Sequence, residues 1–289
     1  MTLDIVYLDG EFLPKEAAKI SPFDRGFLLA DGVYEVVPVV EGQLVDLVPF
    51  LQRFERSLKA LKLSWPLPPE EYLAMLRELI RRNGLREGGV YTQVTRGAAF
   101  ERVFHFPGGL EPTVMAFAFE KPIYESRYGR EGVTVVTVED IRWKRRDIKS
   151  IALLGQCLAK EEAREKGAYE GWMVEEGFVT EGTASSAYIV KEEKVITRPL
   201  GAGEILPGIR RKVILELAPA HGIEVEERPF TVEEAYEADE AFLSSATTLI
   251  YPVIEIDGRR IGIGEPGPLT KKLRELYWRA MREEARSGE

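Results

Sequence analysis

The chain has 289 residues, 45% of them hydrophobic and 30% charged, which is ordinary for a globular protein long enough to form two domains. A net charge of −9 argues against a binder of nucleic-acid phosphates, and no apolar run approaches the length of a membrane span. One cysteine, Cys157, and two histidines, His105 and His221, allow no intrachain disulfide, thiolate cluster or histidine-rich metal site, so a cytoplasmic protein working without a metal is expected.

The residues Met1 to Val6 lack the charged-then-apolar design of a signal peptide. Two short strands, Ile5 to Leu8 and Glu11 to Leu13, are predicted around the turn Asp9-Gly10. After Asp24-Arg25-Gly26, the run Gly32 to Val40 reads as a buried strand, turned by Glu41-Gly42 into another at Leu44 to Leu47. Pro49 is expected to open a helix to about Leu61, with Phe50, Phe54, Leu58 and Leu61 on one face. A second helix, Glu70 to Asn83, follows Pro68-Pro69 and stops at Gly84. Strands are predicted at Val90 to Thr95 and Thr113 to Phe119. The connection between them, Arg96 to Pro112, is too long for a tight turn, and long connections are commonly functional. Lys121 to Ser126 reads as a linker, giving an expected small domain over 1–120, the linker at 121–126 and a large domain over 127–289.

Val133 to Ile141 is predicted as a strand, followed by a helix ending at Gly167 with an apolar stripe at Ile151, Leu154 and Leu158. Between them lies Lys149. Desolvation in an apolar stretch lowers an ammonium's pKa and makes a nucleophilic amine accessible near neutral pH. A surface lysine near a helix start is the plain alternative. Short strands from Trp172 to Ile196 precede a helix from Leu206 to about Ala220. Further strands are expected at Glu224 to Pro229, Ala241 to Ser244 and around Pro252 to Arg260. The closing helix, Leu269 to about Glu284, should bury Leu273, Leu276 and Ala280. Strands and helices alternate without repeats, which indicates an α/β or α+β chain.

Four features bear on Lys149. Thr180 to Ser186 is a small-residue stretch whose one carboxylate, Glu181, could pair with a protonated ring nitrogen or lie in an ordinary loop. Leu206-Pro207-Gly208-Ile209-Arg210 places free N–H groups and a positive dipole end where a phosphate could sit, although proline is common at helix starts. Ser244 to Thr248 is hydroxyl-rich and suits phosphate oxygens or a capping role. Arg53 flanks its helix's apolar face with Ser57 one turn on, where a snorkelling side chain is the plain reading. Pyridoxal phosphate needs this combination: a lysine for the imine, an acid for the ring nitrogen and several phosphate donors.

The order and wording of these motifs resemble the fold-type-IV pyridoxal-phosphate enzymes, and within them the bacterial D-amino-acid aminotransferases. The likeness is carried by Asp24-Arg25-Gly26, Asp31 to Val37, Gln93 to Gly97, Glu139 to Trp143, Asp147 to Ser150 and Pro252 to Gly258, and covers nearly the whole chain. It implies a two-domain α+β fold, with a small N-terminal α/β domain, a larger C-terminal pseudo-barrel domain and the cofactor between them. It further implies that Lys149 forms the Schiff base and shuttles the proton from Cα, while Glu181 keeps the pyridine nitrogen protonated. Arg53, the N–H groups of Ile209 and Arg210, and Thr247 would hold the phosphate, with Leu206 against one face of the ring. Two positions depart from the family pattern: Arg210 stands where a small hydroxyl residue is usual, and Ala246 where another hydroxyl is expected.

The same resemblance implies a substrate carboxylate held by Tyr34, Arg102 and a histidine. The histidine of the family's Arg-x-His pair stands one place later here, at His105, with Phe104 in its usual position and an extra residue before Arg102. Either the loop bulges to bring His105 in, or Phe104 makes a more apolar pocket. The implied reaction is ping-pong transamination between a D-amino acid and a 2-oxo acid such as pyruvate or 2-oxoglutarate, by a homodimer. Branched-chain L-amino-acid transamination, (R)-amine transamination and a non-catalytic cofactor-binding protein of the same fold are the alternatives, with an aminodeoxychorismate lyase disfavoured by Arg102 and Tyr34.

Overall fold

Asp9 and Gly10 take positive φ values of 46° and 99°, the conformation a two-residue hairpin turn requires. They join β1 (Thr2–Leu8) to β2 (Glu11–Pro14) in a computed structural model that describes residues 1–201 and 203–287. A short helix, α1 (Arg25–Leu29), is capped by the Asp24 carboxylate, which accepts from the Gly26 N–H. It leads into β3 (Gly32–Val40) and a two-residue β4 (Gln43–Leu44). The predicted strand to Leu47 is therefore cut short, because α2 (Leu47–Ala60) begins before Pro49. Proline is tolerated there, since first-turn N–H groups have no intrahelical partner. Helix α3 (Pro69–Asn83) ends at Gly84 in the left-handed region, as expected, and β5 (Gly88–Thr95) and β6 (Val114–Glu120) complete this half.

These strands form one antiparallel sheet in the order β2-β1-β6-β5-β3-β4. Pairing puts Val33, Glu35 and Val37 on one face with Val94, Thr92 and Val90. That face is buried, as are Phe50, Phe54 and Leu58 of α2 and Tyr72, Leu76 and Leu79 of α3. The opposite face carries half-buried rings, with Tyr34 stacked on Tyr91 and Tyr91 on Phe117 at 5.4 and 4.8 Å between centroids.

The remaining elements begin with α4 (Arg127–Glu131), β7 (Val133–Glu139) and α5 (Leu154–Glu165). Next come β8 (Glu170–Glu175), β9 (Phe178–Gly182), β10 (Ser186–Lys191) and β11 (Lys194–Thr197). Helix α6 (Ile209–Ala220), β12 (Val225–Glu227) and α7 (Val232–Tyr236) follow. The chain closes with β13 (Glu240–Ser245), β14 (Leu249–Ile256), β15 (Arg259–Arg260) and α8 (Pro268–Ser287). The strands make a mixed sheet in the order β12-β11-β10-β13-β14-β7-β8-β9, with β15 beside β14. β9 and β10 stand five positions apart in that order, roughly 24 Å if the sheet were flat. The link from Gly182 to Ser186 spans at most about 15 Å, so the sheet must curl until these strands approach. This is the physical basis of the pseudo-barrel.

The chain divides into two compact units that are discontinuous in sequence. One comprises Met1–Pro122, Ile148–Ala152 and Met281–Glu289, the other Ile123–Asp147 and Leu153–Ala280. The segment around Lys149 thus groups with the first unit, whereas linear boundaries place it in the second. Two helix faces also differ from expectation. Leu154 and Leu158 are 73% and 54% exposed, and α5 packs instead through Ala159 and Ala163, Ala159 lying against Val138 and Met173. Small side chains let the helix approach the sheet closely, which periodicity of large residues does not reveal. In α8 the buried apolar positions are Leu273, Tyr277, Met281 and Ala285, while Leu276 and Ala280 are only partly buried.

Helix α8 starts against a buried carboxylate. Glu240 accepts from the N–H groups of Leu269 and Thr270 at 2.9 and 2.8 Å. Glu240→Ala should lower the unfolding free energy by about 1–3 kcal/mol, read from urea titration, and an unchanged midpoint would refute this capping role.

Candidate active site

Lys149 lies in the connection between β7 and α5, five residues before the helix. What positions it is backbone pairing. The Tyr34 N–H donates to the Lys149 carbonyl at 3.0 Å and the Ile151 N–H donates to the Gly32 carbonyl at 3.1 Å. Ser150 is bridged to Val33 between them. A Cβ at Gly32 would stand 2.7 Å from the Val94 carbonyl of β5 and 3.0 Å from the tip of the Ile151 side chain, so glycine here chiefly allows β3 to pair closely with β5. The Lys149 N–H donates to Ser57 Oγ at 3.3 Å. The Lys149 side chain is half-buried, with Nζ 4.2 Å from the centre of the Tyr34 ring. Two of the residues expected at the site, Lys149 and Tyr34, are thereby brought together.

Arg53 does not snorkel. It is buried and donates through Nε and Nη2 to both oxygens of Glu35, at 2.7 and 2.6 Å. Glu35 is fully buried on the core face of β3, and a buried carboxylate persists only when paired. Sequence reading missed Glu35, although its place between Val33 and Val37 on an apolar face was a signal that a cation must meet it.

Arg102 and His105 are exposed, and the Arg102 guanidinium lies 5.1 Å from the Phe104 ring centre. Neither meets Lys149 or Tyr34 through any hydrogen bond or ring contact among the described residues. Their loop is tied from below by three charged residues that lie in the family-like motifs but whose pairing the sequence does not reveal. Buried Asp31 accepts from Arg25 Nε at 2.8 Å and from Arg96 Nε and Nη2 at 2.8 and 3.0 Å. Arg25 Nη1 in turn donates to the Val103 carbonyl at 2.7 Å, and the Arg96 guanidinium covers the Phe106 ring at 3.7 Å.

In the second unit, Glu181 sits near the end of β9, 5% exposed. Its Oε1 accepts from Arg142 Nη1 at 2.5 Å and from the Leu206 N–H at 3.1 Å, and Oε2 accepts no hydrogen bond among the described residues. Arg142 also forks onto Asp140, which accepts from Thr180 and faces Arg146. Burial pushes the Glu181 carboxyl up, opposed by the Arg142 charge and hydrogen bond and by the Leu206 N–H. Asp140, desolvated but bonded to Arg142 and Thr180, ends below the usual carboxylate range. The turn after Glu181 is organised by a second buried acid, since Glu170 Oε1 accepts from Thr183 Oγ1, the Ala184 N–H and Ser185 Oγ.

Leu206 is half-buried, and Ile209 and Arg210 begin α6. Gly208, at the N-cap, supplies no side-chain acceptor, and the first intrahelical bond runs from the Lys212 N–H to the Gly208 carbonyl. The N–H groups of Ile209, Arg210 and Arg211 therefore precede the helix's own bonding, as an anion seat requires. The Arg210 side chain neither points to solvent nor stands as an isolated charge. It reaches the carbonyls of Ser245 and Ala246, beside half-buried Thr247.

The model of the class IV aminotransferases matches residues 32–256 of the chain. Among curated proteins, the D-alanine aminotransferase of Staphylococcus haemolyticus is 39% identical over 275 residues, 94% of this chain and 96% of the relative. That of Bacillus licheniformis is 38% identical over 270 residues, 93% and 94%. Among solved structures, Escherichia coli branched-chain amino acid aminotransferase superposes with a TM-score of 0.90 at 26% identity, covering 96% of this chain and 95% of that one. The branched-chain aminotransferase of the thermophilic archaeon Thermoproteus uzoniensis, solved with norvaline, gives 0.85 at 29% identity, covering 100% and 97%.

A carboxyl raised by folding holds its proton longer in the folded state, so its contribution to stability is present at low pH and lost as pH rises through the folded pKa. Arg142→Met removes the main counterweight and raises Glu181 further. The stability of the cofactor-free variant should then fall with rising pH over a window reaching further above about 4 than in the parent protein. Adding Glu181→Gln should cancel the share of that fall due to Glu181. Urea titrations across pH measure both, and identical slopes with and without Glu181→Gln would exclude the coupling.

Proposed function

Because the chain belongs to the class IV aminotransferases, we propose that it uses pyridoxal 5'-phosphate to move an amino group between a D-amino acid and a 2-oxo acid such as pyruvate or 2-oxoglutarate. The observation that carries this reading is the buried Glu181 carboxylate, whose Oε2 accepts no hydrogen bond among the described residues and so suits a protonated ring nitrogen. Lys149, within its own unit, is half-buried with its amine 4.2 Å from the Tyr34 ring centre. The uncapped start of α6 suits the phosphate. The D-amino acid is supported by the names and near-complete coverage of the D-alanine aminotransferases. The likeness to branched-chain enzymes favours the L-amino acid alternative and gives it a place in the test.

Pyridoxal phosphate, when bound, supplies the aldehyde that condenses with amines and the ring that accepts the electron pair left at Cα. Lys149 Nζ binds the cofactor and afterwards removes and returns the substrate's Cα proton. Glu181 Oε2 would hold the proton of the ring nitrogen, and the Arg142 charge and its bond to Oε1 oppose the burial that pushes that carboxyl up. Arg53, oriented by Glu35, would bind the phosphate, as would the Ile209 and Arg210 N–H groups and Thr247, and Leu206 would face the ring. Tyr34, Arg102 and His105 hold the substrate carboxylate. No described helix is long and apolar enough to cross a membrane. A cytoplasmic homodimer completes the proposal, supported by the half-buried aromatic face of the first sheet.

Lys149→Ala should abolish both transamination and the long-wavelength absorption of the lysine-bound cofactor, and retained turnover would remove Lys149 from its role. With the native protein, D-alanine should bleach that absorption and L-leucine should not. The reverse pattern would transfer the reading to branched-chain L-amino acids.

Arg102→Met should cost about 2–5 kcal/mol in kcat/KM for D-alanine, mostly through KM. Unaltered steady-state kinetics would show that the arginine lies outside the carboxylate site.

A further inference from the structure

A buried arginine in the first turn of a helix sits at the wrong end of the dipole for a cation, so its presence calls for a reason. Arg210 is 2% exposed. Its Nη2 donates to the Ala246 carbonyl at 2.7 Å and its Nε to the Ser245 carbonyl at 3.4 Å. The guanidinium lies 4.8 Å from the Tyr277 ring centre. We infer that Arg210 is a positioning residue for the cofactor phosphate, tying the start of α6 to the turn between β13 and β14. This rests on the phosphate seat proposed above.

The consequence follows from peptide geometry. In a trans peptide the carbonyl and the next residue's N–H point in opposite directions. Holding the carbonyls of Ser245 and Ala246 toward Arg210 therefore turns the N–H groups of Ala246 and Thr247 away from the guanidinium. Successive N–H groups aimed alike bind anions. The turn supports itself in part, since the Thr248 N–H donates to the Ser245 carbonyl at 3.3 Å, and the Ala246 carbonyl is the one held by Arg210 at the shorter distance. Its exit residue, buried Leu249, takes φ 56°, an uncommon conformation for a leucine. Within the turn, Ser245 and Thr248 bond each other, the Ser245 N–H donating to Thr248 Oγ1 at 3.1 Å. Arg210 adds the link to α6. It stands where a small hydroxyl residue would serve a phosphate directly, and the carbonyl it holds at 2.7 Å is that of Ala246, the other position without a hydroxyl. The two departures act as a pair, with the direct ligands replaced by a tether that aims backbone donors.

The test compares the affinity of the cofactor-free full chain for pyridoxal phosphate and for pyridoxal, which lacks the phosphate. Arg210→Lys keeps the charge and loses the planar fork. It should weaken pyridoxal phosphate about tenfold and leave pyridoxal unchanged, and the double variant Arg210→Thr/Ala246→Thr should restore most of the loss. Parent-like affinity in Arg210→Lys would overturn the inference in favour of a simple charge effect. Equal weakening of both ligands would overturn it in favour of a merely structural role. Ile209→Pro separates the seat from the tether, since proline suits the first helical position and deletes one N–H. If it leaves the preference for pyridoxal phosphate intact, the seat is elsewhere and the inference falls with it. If it lowers that preference while Arg210→Lys does not, the seat stands and the tether alone is refuted.

Discussion

Two hydrogen bonds and one bridge between Gly32–Tyr34 and Lys149–Ile151 hold the lysine segment to the first sheet. A lysine in a connection between a strand and a helix would otherwise sample many positions, because irregular segments have few fixed contacts. Pairing with β3 removes that freedom and sets the amine over Tyr34. The opening for the pairing exists because β4 covers only the far end of β3, at Val39 and Val40. Gly32 adds to it by leaving room beside the Ile151 side chain while β3 packs closely on β5. Register, edge and glycine together turn a surface-like lysine into a positioned one.

In each of its two units the protein buries carboxylates and gives each of them donors. Glu35 meets Arg53, Asp31 meets Arg25 and Arg96, Glu181 meets Arg142 and the Leu206 N–H, and Glu170 organises the turn that follows Glu181. Desolvation makes such pairs poor sources of net stability. Their value lies in direction, because a paired guanidinium or carboxylate presents its remaining atoms along one line. For Glu181 that leaves Oε2 as the acceptor, and for Arg210 the same logic is turned onto backbone carbonyls. Arg102 and His105 ride on an exposed loop whose base is held through Val103 and Phe106, so under the proposed function the residues that choose the amine lie on a loop.

Much of this was legible beforehand. The hairpin at Asp9-Gly10, the strand Gly32–Val40 and the α3 stop at Gly84 follow from local chemistry: positive φ, β-branched runs and a left-handed cap. The motif set around Lys149, Glu181, Leu206 and Thr247 identified the family by wording. The short helices α1, α4 and α7 were missed because five residues give too little periodicity to read. The outward Leu154 and Leu158 were misread because hydrophobic spacing reports amphipathicity and not which side the sheet takes. The pairings of Glu35 with Arg53, of Asp31 with Arg96 and of Arg142 with Glu181 escaped because the partners are 18, 65 and 39 residues apart.

By itself the amino-acid sequence determined the chemistry available: one lysine with the right neighbours, one carboxylate among small residues, a helix start without a capping side chain. Those are properties of residue type and short-range order, and backbone sterics translate them directly. Only the tertiary structure decided that Lys149 leaves its own neighbours for β3, that Arg53 is claimed by Glu35, and that Arg210 faces the turn at Ser245 and Ala246. The first two depend on the pairing of the first sheet and the third on that of the second. Contacts between distant segments are set by burial and closure of the whole chain, which no local pattern encodes.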